Sequence, residues 1–381
     1  MSITIVMPVL GRPLFTLRSL WYLNSIGLPW KVIVADGGNY RAIRRILGDK
    51  GNFPNLDLTY FRSPDVDVRA YYRKCLAAVR MAETPYVQIL DNDDFITINA
   101  LKTMAAFLDA HPDHSAVGGI VSNVHIGNSA RRDGIRFVQG PADRWTVMYD
   151  PKFLEQSTAA ERVGQHLSRY FPTYYSLHRK QAKADAYDFL VRTGIRDLPL
   201  HEIFLSLHTL LSGKITTICS TVGYLRQANS SEAHATVRPW PHRILQDAWQ
   251  SDFRSAVEEF ARTMHALEPS TSLAAARDLL QDRIGWFIST VSTGSAYHGS
   301  RPDALEAMLA ELKGYGATDQ DCAALVSDWI PVIGCLESAE FRRFLAAEAG
   351  DLLALWKLQH LPDRVWAAWK NSAIGRSLRH K

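Results

Sequence analysis

The first hundred residues alternate apolar runs with stretches of helical spacing. Ile3 to Leu10 (ITIVMPVL) reads as a buried strand, and Leu14, Leu17, Leu20 and Leu23 then recur at helix spacing until Gly27 and Pro29 stop them. A second strand run, KVIVAD, ends at Gly37 and Gly38, and a helix is predicted from Tyr40 to Leu47. LDLTYF (Leu56 to Phe61), a helix from Val68 to Met81 and PYVQILD (Pro85 to Asp91) continue the alternation. Strand and helix in this order predict βαβ units on a mostly parallel sheet with helices on both faces. Ligands of such sheets sit beyond the carboxyl ends of the strands. That rule singles out Pro8 to Arg12, Asp36-Gly37-Gly38 and Asp91-Asn92-Asp93-Asp94 as neighbours around one crevice.

Further on the pattern changes. A polar and aromatic stretch from Ala130 to Tyr149 leads into a mixed region with one more strand candidate, KITTICSTVGYL, and from Pro239 onward nearly everything has helical spacing. The predicted organisation is an α/β domain over residues 1–240 and a helical C-terminal domain over 241–381. At 381 residues and 47 % hydrophobic composition the chain can bury a sizeable core, and no apolar stretch of about 18 residues suggests a spanning helix. Nor does the start resemble a secretory signal. Four cysteines, spread without a CxxC pair, suggest neither a zinc ribbon nor a disulfide framework, which fits a reducing cytoplasm.

Charge adds one detail. The formal net charge of +4 is accounted for by the last twenty residues, where Arg364, Lys370, Arg376, Arg379 and Lys381 face a lone Asp363. No basic stripe with interleaved aromatics runs through the body, so a nucleic-acid partner is not expected.

DNDDF at 91–95 is the sharpest chemical feature. Three carboxylates directly after an apolar strand repel one another unless a cation shares them, and their hard oxygens suit Mg²⁺ or Mn²⁺. A solvated acidic turn ahead of a helix N-terminus is the plainer alternative.

In order and spacing these elements resemble the nucleotide-sugar glycosyltransferases of the GT-A fold, in particular the large inverting family 2. Pro8-Val9-Leu10-Gly11-Arg12 matches the turn after the first strand, VIVADGG the Asp-Gly end of the second, Arg69-Ala70-Tyr71-Tyr72-Arg73-Lys74 the basic helix, and YVQILDNDDF the strand with its DxDD element. The resemblance covers roughly the first hundred residues. It implies a GT-A α/β domain that moves a sugar from a nucleoside diphosphate, most simply UDP, to a hydroxyl of a glycan or lipid-linked acceptor. Pro8 and Asp36 would hold base and ribose, Arg12, Arg69 and Arg73 would face the donor, and Asp91 would meet the ribose or the metal shell. Asp93 would hold the metal, Mn²⁺ or Mg²⁺, which neutralises the departing diphosphate.

Family 2 enzymes place the base that deprotonates the acceptor in an acidic pair at a helix start, some hundred residues after DxD. His201-Glu202 stands there in place of the usual Glu-Asp, so Glu202 is the expected base and Asp197 its substitute. A Glu in a first helical turn is also favourable electrostatics and nothing more. In related enzymes a segment at the place of GYLRQANSSEAHAT closes over the diphosphate, which makes Arg226 a donor candidate and His234 a metal candidate. Trp145, Tyr174 and Tyr175 lie where the acceptor side is built, as sugar-stacking faces or as ordinary packing.

The tail from Asp351 carries Trp356, Trp366 and Trp369 with the basic excess. It reads either as an interfacial segment at the inner face of the cell membrane, through residues 362–381, or as a helix packed into the C-terminal domain. That domain is expected to serve acceptor binding, homo-oligomerisation or membrane attachment, and a bacterial surface polysaccharide is the expected product class. Two rivals stand beside this reading. A sugar nucleotidyltransferase would carry a Gly-rich loop and Lys after the first strand, which MPVLGRP lacks, and a non-catalytic glycan-binding or scaffold protein would keep the fold without the acidic pair.

Overall fold

A computed structural model describes residues 2–38, 41–126, 142–228, 240–292 and 305–337, together with Glu340, Phe341, Arg343 and Phe344. Its framework is a nine-stranded mixed sheet. β1 (Ile3–Val9), β2 (Lys31–Asp36), β3 (Leu58–Arg62) and β4 (Tyr86–Ile89) form the parallel part in the order β3-β2-β1-β4. Between them run α1 (Pro13–Ser25), α2 (Arg41–Gly48) and α3 (Val68–Met81). These are the strands and helices the alternation predicts. Pro8, in the central strand β1, lies beyond the last residue paired with β4, where its missing N–H leaves no ladder partner stranded.

Beyond β4 the sheet changes character. After α4 (Ile98–Ala110) come β5 (His114–Ile126), β6 (Ala142–Val147), β7 (Phe153–Leu154), α5 (Ala159–Ser168), β8 (Leu177–Arg179), α6 (Lys180–Thr193), α7 (Leu198–Ser212) and β9 (Lys214–Gln227). β8 slots antiparallel between β4 and β5, β9 runs parallel to β5, and β6 and β7 pair antiparallel at the far side. β5 and β9 approach closely where Gly119 faces Gly223: a Cβ on Gly119 would lie 2.4 Å from the Gly223 nitrogen. Past that point the β5/β9 register shifts repeatedly, which delivers Arg226 and Gln227 opposite Asn123 and Val124.

Alternating side chains of the strands feed two cores. Ile3, Ile5, Met7 and Val9 of β1 join one, with Val32 and Val34 of β2, α1 and α4; Val6, Ile33 and Ala35 point into the other, with α3, α6 and α7. The helices after residue 240 share both cores. α8 (Trp240–Ile244), α9 (Asp247–Leu267) and α10 (Leu273–Ser292) lie on the α6/α7 side, and α11 (Leu305–Gly314) and α12 (Asp319–Glu337) on the α1/α4 side. Helical composition is as expected, with α12 continuing past Pro331. Among the described residues no helix is long and apolar enough to cross a membrane. The tail expected at the membrane, 362–381, lies outside the described residues.

Candidate active site

The strand ends converge as the βαβ rule demands. Leaving β1, the chain turns through two consecutive left-handed residues, Gly11 (φ 67°) and Arg12 (φ 55°), into Pro13 at the start of α1. An arginine held left-handed costs about 1–2 kcal/mol. The cost secures an orientation: the guanidinium lies 2.7 Å from the Asp93 carboxylate and 4.3 Å from the centre of the Phe15 ring.

After β4 the DNDDF turn is fastened on every side. The Asp94 amide bonds the Asp91 carbonyl, Phe95 pairs with Leu225 of β9 through two 2.9 Å backbone bonds, and Asn92 Nδ2 donates to Thr16 Oγ1 of α1 at 3.0 Å. Beneath it Arg18, fully buried on the inner face of α1, donates to the Asp93 carbonyl and to Gln227. Burial lowers that guanidinium to about 10. The three carboxylates have separate partners besides one another. Tyr174 donates its hydroxyl to Asp91 Oδ1 at 2.7 Å, Arg12 pairs with Asp93, and Asp94 Oδ1 accepts from the Gln227 amide at 2.8 Å. Burial first, and then the charge of Asp93, push Asp91 up to about 6, and burial with both neighbours raises Asp94 well above the ordinary range.

At the end of β2, Asp36 Oδ1 accepts from the Gly38 amide at 2.7 Å and Oδ2 from the Tyr60 hydroxyl at 2.8 Å. The cation that α3 delivers here is Lys74. It is fully buried, pairs with Asp65, and donates to the Val9 carbonyl at 3.0 Å. Gly37 is needed between them, since a Cβ there would meet the Asp65 carboxylate at 2.0 Å. Arg69 and Arg73, expected to face the donor, lie on the exposed side of α3, with the Arg69 guanidinium against Gly194 at the end of α6.

The two candidate bases divide cleanly. Asp197 caps α7 by accepting from the Leu200 amide at 2.9 Å and pairs with Arg243, whose guanidinium lies 3.9 Å from the Trp240 ring centre. It is occupied by the fold. Glu202 sits in the second turn of α7, not the first, so end-of-helix electrostatics gives no account of it. Its side chain is exposed to solvent. Tyr170, backed by Phe287 of α10, donates to Glu202 Oε1 at 3.0 Å. Desolvation raises the Glu202 carboxyl; Tyr170 and the charge of Arg226 oppose that rise, and Asp91 adds to it. The charge of Arg226, on β9, lowers the Asp91, Asp94 and Glu202 carboxyls alike.

The aromatic expectations separate. Trp145 is not a sugar platform: it is 5 % exposed and stacks on Trp329 of α12 at 4.8 Å, inside the core. Tyr174 serves Asp91, Tyr175 packs on Tyr224 at 4.7 Å, and the Tyr224 hydroxyl accepts from the Asp91 amide at 3.0 Å. His234 lies outside the described residues. Sequence reasoning passed over Arg18, Lys74, Tyr60, Tyr170 and Tyr224. A charged residue on the apolar stripe of a helix was the available signal for Arg18 and Lys74; the tyrosines gave none.

Residues 4–161, from β1 through the DNDDF turn to the start of α5, match the family described as Glycosyl transferase family 2. No protein of curated function matches the chain. Similar solved structures include Staphylococcus aureus TarS 1-349 in complex with UDP, at 14 % identity and TM-score 0.46, covering 94 % of this chain and 90 % of that one. The same protein in complex with UDP-GlcNAc aligns at 14 % identity and TM-score 0.40, covering 79 % and 94 %. These scores fall below 0.5. What the comparisons give is a similarity: residues 4–161, about two fifths of the chain, are similar to Glycosyl transferase family 2.

Proposed function

We propose that this protein transfers a sugar from a nucleoside diphosphate donor, UDP being the first to test, to a hydroxyl of a glycan or lipid-linked acceptor, with inversion. The observations that carry the reading are an exposed carboxylate, Glu202, held by Tyr170 at 3.0 Å, and the acidic Asp91–Asp94 turn directly after β4, where Tyr174 holds Asp91 at 2.7 Å. Pro8 and Asp36 would border the nucleoside, and Arg12 and Arg226 would supply positive charge for the diphosphate. Glu202, raised by desolvation and held by Tyr170, is poised to take the acceptor hydroxyl's proton as the oxygen attacks the anomeric carbon. A single displacement of this kind inverts the anomeric centre.

A divalent cation fits the donor set. Asp91 and Asp93 offer hard oxygens two residues apart on the turn after β4. Among the described residues no group of three protein ligands gathers, so Asp91 and Asp93 would hold a cation that keeps positions for phosphate oxygens and water. Bound there, Mg²⁺ or Mn²⁺ would supply Lewis-acid stabilisation of the leaving diphosphate.

The test is a thermal-shift screen of UDP, GDP, CDP and dTDP with and without Mn²⁺ or Mg²⁺, followed by transfer assays with the donor it selects. A metal-dependent shift for one nucleotide, with transfer abolished by Glu202→Gln, is the expected result. No shift with any nucleotide would overturn it in favour of a non-catalytic binding protein.

A further inference from the structure

Lys183, near the start of α6, is fully buried, and its ammonium has neither a hydrogen-bond acceptor nor a carboxylate partner among the described residues. It lies 5.5 Å from the ring centre of Tyr174 and 5.5 Å from that of Tyr187. A buried amine without an acceptor destabilises a fold, and an unbranched apolar side chain of similar length would fill the space without that cost. Burial accordingly lowers its pKa to about 7. Packing therefore gives no reason for a lysine here. What the position does offer is the Tyr174 ring, whose hydroxyl donates to Asp91 Oδ1 at 2.7 Å.

We propose that Lys183 is a positioning residue for Asp91, acting through the ring of Tyr174. The ammonium is attracted to the ring and fixes its place. It also draws electron density from the phenol, which makes the hydroxyl a stronger donor to the carboxylate. Asp91 is thereby held in one orientation toward the donor crevice. The inference rests on the reading of Asp91 as a donor-site residue.

The experiment compares wild type with Lys183→Met, Tyr174→Phe, the double variant and Lys183→Arg, using UDP with Mg²⁺ (or the nucleotide that shifts wild type) in calorimetric titration, beside the melting temperature of each. Lys183→Met is expected to weaken nucleotide binding about fivefold, a part of one cation–π contact passed on through Tyr174, while its melting temperature stays the same or rises. Tyr174→Phe should weaken binding to a similar degree, the double variant no further than either alone, and Lys183→Arg should return affinity to within about twofold of wild type. Wild-type affinity in Lys183→Met overturns the inference, as do independent, multiplying effects in the double variant. Loss of melting temperature in Lys183→Met and Lys183→Arg together assigns the lysine a structural role and also overturns it. If wild type binds no nucleotide while folded, the donor-site reading itself fails and takes the inference with it.

Discussion

The Arg12 guanidinium lies 2.7 Å from the Asp93 carboxylate, and with that contact the turn after β1 is tied across the crevice to the turn after β4. Both side chains are largely buried, so the pair holds the two turns together when no ligand does. Arg12→Ala removes this ion-pair partner from Asp93, which lies beside Asp91 and Asp94. The expected loss is roughly 3 kcal/mol of stability in metal-free buffer, with part of it restored by millimolar Mg²⁺ or Mn²⁺. Thermal melts with and without cation check this; equal melts of variant and wild type would show that the pair contributes nothing.

Glu202→Gln and Asp197→Asn should separate chemistry from support. The first is expected to keep nucleotide affinity within about twofold and to lose transfer by about 10²–10⁴. The second weakens the α7 cap and the Arg243 pair, so its melting temperature falls while the folded fraction keeps transferring. Transfer at the wild-type rate by Glu202→Gln would remove Glu202 from the reaction.

Asp91 makes stability depend on pH in a definite direction. Its folded carboxyl titrates at about 6, above the unfolded value near 3.8, so protonation favours the folded state. That favourable contribution is complete below about pH 4 and is lost as pH rises through 6. Asp91→Asn, neutral throughout, should melt roughly 2 °C above wild type at pH 8 in ligand-free buffer, with the gain fading toward pH 4. A gain that grows in acid would contradict the assignment.

Gly119→Ala tests the β5/β9 contact. The added methyl meets Gly223 backbone at 2.4 Å, and backbone there has no rotamer by which to yield. The strands must part, at about 2–3 kcal/mol of overpacking, and Arg226 and Gln227 move with β9. Lower melting temperature together with weaker nucleotide binding is expected; a drop in stability alone would mean that β9 does not govern the site.

The legible part of the sequence was the part whose period is local. β1 to β4, α1 and α3 follow from apolar runs and leucine spacing, and the crevice follows from the strand ends they imply. The antiparallel entry of β8 was illegible because three residues, Leu177–Arg179, carry too short a pattern to distinguish a strand from the loop around it. Trp145 stayed open between sugar stacking and packing for another reason: an aromatic side chain looks the same in sequence whether it faces a sugar or, as here, Trp329, which lies far along the chain. Lys74 was hidden beside Arg73 because adjacent helical positions point in different directions, and only tertiary packing decides which cation enters the sheet. Glu202 was singled out by its position in the chain, whereas its hydrogen-bond partner, Tyr170, was not.

The helices beyond residue 240 divide between the two faces of the sheet, α9 and α10 on one and α11 and α12 on the other. During synthesis, the sheet therefore leaves the ribosome as a slab with parts of both faces uncovered, and neither is closed until the chain's last third has been made. A shortened form ending near residue 240 would expose apolar side chains on both sides at once. Fragments cut there should aggregate, not behave as a minimal enzyme, and soluble expression needs the helices that straddle the sheet.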